Sequence, residues 1–283
     1  MRRRSLLPWL PAAAAVVVGR VAAKETIWAT PHDSYSSSIG VVGCKINTDR
    51  VAYWPMAVDC NNVCVSLSYG GRTLYLLRID QSGGAYDVSY DAWNYLMTGD
   101  SATSKPIAGG ATPMEYETVD PFFCAPLIHT DGNKLPLSAP NSMNFLSSCL
   151  ADSTSFVARN HILYNILDPI CTWGYDETCS LDLSVSNQAS CPHTMGTPAA
   201  LTGAPVYNIR YPSGTRVVAG SGEVVAAPGA GAGGRVACPE LGRLLGLVAV
   251  LSLFLHFSAA YNLFGGVAER IRPPLWGLGL DGV

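Results

Sequence analysis

The sequence lacks the short motifs that mark the commonest catalytic and metal sites. It contains no G-x-S-x-G, no H-E-x-x-H, no C-x2-C pair and no H-x3-H spacing, and it has only five histidines. Serine-hydrolase, zinc-protease and zinc-finger chemistry are therefore not expected. An N-x-[ST] sequon is also absent, so we expect no N-glycan on the surface. We predict no cofactor and no metal ion.

Charge is scarce as well, because Asp, Glu, Lys and Arg make up only 14% of the chain. Four of the basic residues lie at the N-terminus, where three arginines at positions 2–4 precede an apolar run at 6–19 and small residues at 21–23. This order is typical of a cleaved signal peptide at 1–23. Its loss removes 4 of 18 basic residues and leaves 14 against 21 acidic ones, a net charge of −7. Such a chain is not expected to bind nucleic acid.

Cysteine, in contrast, is plentiful, and every cysteine follows the predicted signal peptide. A secreted chain meets an oxidising compartment, where disulfides persist. Eight cysteines fall between residues 44 and 191, which predicts four bridges whose connectivity the sequence leaves open; they are Cys44, Cys60, Cys64, Cys124, Cys149, Cys171, Cys179 and Cys191. The ninth, Cys238, is left over.

Residues 35–125 read as a small β-rich domain. Apolar and polar residues alternate over short runs, and glycines separate the runs, which favours half-buried strands. The predicted strands are 50–54, 63–68, 73–79 and 114–119, with a turn at 69–71. Between them, 89–96 has the spacing of one short helix, with Ser89 available as its N-cap.

The next 72 residues, 126–197, are predicted to be a helical extension stapled by disulfides. Apolar residues recur at helical spacing from Asn141 to Leu167, and Asp168-Pro169 ends the pattern. Cys149, Cys171, Cys179 and Cys191 lie in this region. We expect the extension to pack on the β domain or to form a small second unit.

The C-terminal part is predicted to contain a linker and a hydrophobic helix. Gly, Ala, Pro and Ser dominate 198–243, which indicates a flexible linker. The uncharged run 244–264 is long enough to cross a bilayer, and 265–283 forms a short tail. A type I transmembrane helix, a GPI signal, a buried helix and an artefact of the gene model are the alternatives for this end. The protein is therefore expected outside the cell or at the cell surface, and two of these alternatives attach it to the membrane through 244–264.

One segment of the β domain carries a resemblance to a known superfamily. Its most specific part is Asp87-Val88-Ser89, followed by Ala92-Trp93 and Leu96; further matches are Arg50 to Trp54, Cys60-x3-Cys64, Gly70-Gly71, Leu77 to Asp80 and the closing run 114–119 with Cys124. This pattern resembles the double-psi β-barrels: barwin, expansins, kiwellin, RlpA proteins and family 45 endoglucanases. More narrowly, it is similar to secreted fungal proteins of barwin-like type. The implied fold class is mainly β: a six-stranded double-psi β-barrel, with the helical extension and the C-terminal hydrophobic helix added.

The resemblance also implies a polysaccharide site. In these barrels the matching aspartate lies at the rim of an open groove, and in the lytic members it is the general acid, so Asp87 is the first site residue and the predicted catalytic one. Capping of the following helix is the alternative role for Asp87. Tyr53, Trp54 and Tyr86 offer rings on which sugars stack, with Asp80 beside them, and core packing is the alternative role for the rings.

Hydrolysis by inversion needs a second carboxylate. The lytic family places it directly after Tyr-Trp, where this chain has Pro55. The leading hypothesis is therefore a non-hydrolytic module that binds cell-wall polysaccharide or a surface protein. The alternatives are a family 45-like endoglucanase with Asp87 as acid, and a secreted effector or inhibitor that acts by protein–protein interaction.

Overall fold

The computed structural model describes residues 24–225, and a closed barrel of six strands lies at its centre. The strands are β1 (Glu25–His32), β2 (Val51–Trp54), β3 (Cys64–Tyr69), β4 (Arg72–Gln81), β5 (Tyr86–Ser89) and β6 (Thr112–Thr118). Their order around the barrel is β1-β5-β2-β4-β3-β6. The pairs β1/β5 and β2/β4 are parallel and the other four are antiparallel. The predicted mainly β fold with a closed six-stranded barrel is confirmed.

Strand alternation places one set of side chains inside this barrel. Ile27 and Ala29 of β1 are buried, whereas Trp28 between them is exposed. The interior is filled mainly by aliphatic and aromatic side chains; they include Ala52, Trp54, Val65, Leu67, Leu76, Val88 and Met114. The turn between β3 and β4 consists of Gly70 and Gly71 with φ of 57° and 78°, as a tight hairpin of the type I′ class requires. The predicted turn is at this position.

A helix, α1 (Tyr90–Thr98), follows β5 directly and confirms the predicted short helix. Ser89 occupies the N-cap position, but its hydroxyl donates to the carbonyl oxygen of Asp49 rather than to the helix. The buried carboxylate of Asp91 accepts hydrogen bonds from Arg50 (2.7 Å) and from the backbone N–H of Ala102 (2.7 Å). Trp93 is buried, as expected for the inner face of this helix.

The barrel begins earlier than predicted. The sequence placed its start at residue 35, but β1 begins at Glu25 and pairs with both β5 and β6. The prediction missed this strand because Pro31 and the polar residues after it favour a loop. Pro31 lies near the end of β1, where a missing N–H disturbs the ladder little.

The prediction of a helical extension over 126–197 is wrong for much of that region. The region contains two short helices, α2 (Met143–Leu150) and α3 (Phe156–Arg159), and a three-stranded sheet. The strands of that sheet, in the order β7-β8-β9, are β7 (Leu135–Ser138), β8 (His161–Ile166) and β9 (Gly174–Cys179). Residues 163–166 of β8 are all buried, and a short buried run has no periodicity that separates strand from helix.

The predicted linker over 198–243 is also folded in part. A hairpin of β10 (Tyr207–Arg210) and β11 (Thr215–Val218) packs back on the rest of the chain. Ile209 and Val217 are buried, and the side-chain oxygen of Asn208 accepts from the backbone N–H of Tyr35 at 2.9 Å. Composition predicted a linker because Gly, Ala and Pro surround the two short strands.

Four disulfides connect the eight cysteines between 44 and 191. The pairs are Cys44–Cys171, Cys60–Cys149, Cys64–Cys124 and Cys179–Cys191. The first two tie loops beside the barrel to the extension, and the third lies between β3 and the segment after β6. One apolar core accordingly runs from Val51, Leu77 and Ile79 of the barrel to Leu137, Leu146 and Leu163 of the extension.

Several predictions concern residues outside the described part of the chain. They are the signal peptide at 1–23, the linker from 226 to 243 with Cys238, the hydrophobic segment 244–264 and the tail 265–283. Among residues 24–225, no helix has both the length and the apolar character needed to cross a membrane.

Candidate functional site

Asp87 lies on the outer face of β5 and is half-buried. Its neighbour on the parallel strand β1 is Thr30, whose hydroxyl donates a hydrogen bond to the Asp87 carboxylate. Its neighbour on the antiparallel strand β2 is Tyr53. Asp87 is therefore part of a strand and does not cap α1, and one of its oxygens accepts from a hydroxyl that a ligand could also contact.

The ring of Tyr53 is buried, with 3% of the residue exposed. The imidazole of His32 packs against it with the ring centroids 4.7 Å apart. Burial, and to a smaller extent the nearby carboxylate of Asp80, raises the pKa of Tyr53 well above its ordinary value. The phenol is thus neutral, and its face is covered by protein atoms.

Asp80 is buried beside Tyr53 and is fully engaged by the protein. Its carboxylate accepts from the hydroxyl of Ser36 and from the backbone N–H groups of Ser38 and Gln81, both at 2.8 Å. These bonds fix the loop that follows β1. The side chain has an evident structural role, whereas its predicted role in binding carbohydrate has no support from this geometry.

Asp49 is the third carboxylate near Tyr53. Burial, and then the neighbouring Asp91, raises the pKa of Asp49; Arg50 and Arg216 oppose that shift. The cavity that Asp49 lines has a volume of ≈ 20 Å³ and is bordered on one side by β10. A space of this size holds about one water molecule. No sugar ring fits there.

Trp54 and Tyr86 belong to the inside of the barrel rather than to its outer face. Trp54 is 1% exposed, and its ring contacts those of Tyr86 and Tyr116 edge-on, at centroid distances of 5.4 and 4.8 Å. Tyr86 and Tyr116 are half-buried, so they line the end of the barrel that this cluster closes. Of the predicted ring set, only Tyr86 has accessible surface of any extent.

Trp28 is an exposed aromatic residue that sequence reasoning missed. It is 62% exposed and points outward from β1, two positions before Thr30 on the same face. The signal was the alternation in Glu25–His32, which places Trp28 opposite the buried Ile27 and Ala29. Trp28, Thr30 and Asp87 together form an outward row, which we call the β1–β5 face.

A polar cleft lies next to this face, on the other side of Trp28. Its volume is ≈ 480 Å³, and its lining includes Lys24, Thr26, Ser68, Thr73 and Glu115. Thr26 is on the same face of β1 as Trp28, and Glu115 pairs with Thr26 across the β1/β6 ladder. Hydroxyls and charges of both signs thus continue the β1–β5 face.

The arrangement suits the binding of a polar ligand with flat apolar faces. It offers an accessible indole, a carboxylate and several hydroxyls on strands, where the backbone holds them in place. Within residues 24–225, no group of three or more His, Cys, Asp or Glu side chains could hold a metal ion. No family model matches the chain, and neither does any curated protein.

Proposed function

We propose that this protein is an extracellular or cell-surface module with a double-psi β-barrel that binds cell-wall carbohydrate without hydrolysing it. The closed six-stranded barrel, with its parallel and antiparallel pairs, is compatible with that superfamily. The four disulfides fit an oxidising location outside the cytosol. The resemblance of the segment 35–125 supplies the class of ligand.

The β1–β5 face is the observation that carries the proposal. An exposed indole two positions from a Thr30–Asp87 pair provides a stacking surface beside hydrogen-bonding groups. Sugars present C–H faces to aromatic rings and hydroxyls to carboxylates, so both features act on one ligand. The rigid strands beneath them lower the cost of ordering the site on binding.

The surroundings of Asp87 favour binding over hydrolysis. An inverting mechanism needs a second carboxylate about 6.5–9.5 Å from the acid, with room for a water and the sugar between them. The carboxylate of Asp80 already accepts hydrogen bonds from the protein, so it is not free to activate a water. The cavity at Asp49 is too small for a substrate. Neither carboxylate is placed to activate water against a bound glycan.

The direct test is a pull-down of the purified secreted chain on insoluble chitin, β-glucan and cellulose. We expect retention on at least one of them, and a clear loss of retention for Asp87→Asn, because the amide replaces one acceptor and removes the charge. Asp131→Asn is the matched control, since Asp131 is an exposed aspartate of the extension. Absence of binding to all three polysaccharides would remove the carbohydrate proposal.

The endoglucanase alternative assigns the role of general acid to Asp87, whose half-buried carboxylate lies on the barrel surface. Release of reducing sugar from soluble β-glucan measures this activity in the same preparation. We expect none; release that disappears in Asp87→Asn would replace the binding proposal with the enzymatic one.

A further inference from the structure

The polar cleft next to the β1–β5 face lies where two barrel strands separate. The ladder between β3 and β6 ends at the pair Ser68–Glu115, although β3 continues to Tyr69 and β6 begins at Thr112. Beyond that pair the two strands, both within the described chain, are not paired with each other, and the cleft of ≈ 480 Å³ occupies the opening. The end of the β3–β4 hairpin forms one wall and the first residues of β6 form the other; the residues of these walls are Tyr69, Gly70, Gly71, Arg72, Pro113 and Met114.

Trp28 connects the β1–β5 face to this cleft. It pairs with Pro113 across the ladder between β1 and β6, and Pro113 is exposed and lines the cleft. Side chains directly opposite each other in such a ladder have Cβ atoms about 5 Å apart. The indole and the proline ring therefore lie side by side, and they lead from Thr30 and Asp87 into the cleft.

The interior of the cleft contains hydroxyls and a balanced pair of charges. The hydroxyls of Ser68 and Thr73 are 2.8 Å apart, and both residues line the cleft together with Thr26. The ammonium group of Lys24 lies 3.4 Å from the carboxylate of Glu115, so these two charges compensate each other.

Arg72 is the remaining charged residue of the lining. Its Nη1 donates to the carbonyl oxygen of Leu96 at 2.9 Å, in the last turn of α1, where the helix dipole favours a positive charge. Among the described residues of the lining, no unbalanced charge is left for a charged ligand. Donors and acceptors together suit a neutral ligand that is rich in hydroxyl groups.

We propose that the ligand is a neutral, linear glycan chain that covers Trp28 on the β1–β5 face and continues into the cleft. This inference rests on the proposed function and defines the length and the charge of its ligand. Outward side chains on a strand repeat about every 7 Å, so Thr26 and Thr30 are about 14 Å apart. One pyranose ring does not reach from the Thr30–Asp87 pair to the cleft, whereas an oligosaccharide does.

Isothermal titration with hexasaccharides derived from chitin, cellulose and laminarin tests the proposal, and the corresponding disaccharides are the short controls. We expect at least one hexasaccharide to bind about 10-fold more tightly than its disaccharide, because the added sugar units form further net hydrogen bonds in the cleft. This affinity should change less than about 2-fold between low and high salt, because salt screens interactions between charges and the ligand has none.

The variant Thr73→Val separates the cleft from the rest of the site. It removes one hydroxyl from the cleft and keeps a β-branched residue on the exposed face of β4. The affinity for the hexasaccharide should fall about 5-fold while that for the disaccharide stays the same, whereas Trp28→Ala should weaken both. Thr178→Val is the matched control, since Thr178 is an exposed threonine on β9.

Each result decides between the outcomes. Equal affinities for every hexasaccharide and its disaccharide, combined with retention on a polysaccharide, would overturn the inference and leave the proposed function in place. An unchanged hexasaccharide affinity in Thr73→Val, a loss that Thr178→Val shares, or a strong dependence on salt would overturn it as well. Binding of no saccharide together with no retention on any polysaccharide would overturn both. If Thr73→Val does not fold, Ser68→Ala decides by the same comparison.

Discussion

Removal of the indole at position 28 should weaken carbohydrate binding by about 25-fold. Trp28 is 62% exposed; for a side chain of roughly 250 Å², about 150 Å² is then accessible. A sugar covers one face of the ring, or about 75 Å². At about 25 cal/mol per Å², Trp28→Ala forfeits about 2 kcal/mol of binding free energy, which corresponds to about 25-fold in Kd.

Titration with a soluble fragment of whichever polysaccharide retains the protein measures this loss. Trp173→Ala is the matched control, because Trp173 is 44% exposed in the extension, away from the β1–β5 face. Thermal unfolding of both variants should stay close to that of the wild type, since neither indole belongs to the core. Trp28→Phe should keep about half of the lost affinity, because a smaller ring remains at the same place.

The reasoning fails if Trp28→Ala binds as tightly as the wild type. It fails equally if Trp173→Ala loses as much affinity, because the exposed indole of the β1–β5 face would then have no special part in recognition. A loss shared by Trp28→Ala and Trp28→Phe would indicate a hydrogen bond from the indole N–H instead of stacking.

Two further predictions concern stability. Replacement of Cys60 and Cys149 by alanine should cost more free energy of unfolding than replacement of Cys179 and Cys191, because the two bridges close loops of 89 and 12 residues. The entropy of closing these loops corresponds to about 4.6 and about 2.8 kcal/mol. The other bridges shorten the first loop, so the difference is at most about 2 kcal/mol. Urea unfolding without reductant measures it, and a larger loss at the shorter loop would contradict the entropy argument. Asp49→Asn should stabilise the protein at pH 7. The raised pKa of Asp49 means that the fold favours the protonated form of this carboxyl group. The contribution of protonated Asp49 to the free energy of unfolding is present below the unfolded-state pKa of aspartate and is lost as pH rises through the higher folded-state pKa. Unfolding curves from pH 3 to pH 7 check the sign, and a gain that persists unchanged at pH 3 would refute it.

The barrel strands were the most predictable part of the molecule. In β2, β3 and β4 the apolar residues are contiguous or alternate over four to ten residues, and the Gly70-Gly71 turn fixes the register of β3 against β4. Such local signals survive in the fold because the same side chains fill the core. The helix α1 was equally clear, because its apolar residues Ala92, Trp93 and Leu96 lie on one face.

Other features depend on contacts that a local pattern does not contain. The strand β8 pairs with Leu135–Ser138, more than twenty residues earlier, and burial on both faces hides its period. The hairpin at 207–218 is stabilised by contacts with Tyr35 and Tyr90, far away in sequence. Tyr53 and Trp54 are also buried by residues that are distant in sequence. The loop at 36–38 covers Tyr53, and the rings of Tyr86 and Tyr116 enclose Trp54.

The candidate site was predictable only in its central residue. Asp87 was identified by its motif, and it lies half-exposed on the barrel surface. Trp28 is absent from the motif, and its importance follows from exposure, which depends on the position of β1 in the closed sheet.

The spacing of the paired cysteines has a consequence for biosynthesis. Cys44 and Cys60 are translated 127 and 89 residues before their partners. At about 5–20 residues per second, Cys44 waits about 6–25 s for Cys171 to be made. During that interval the early thiols are close together in the chain and can pair with one another, and any such premature bond must be exchanged before the native bridges form.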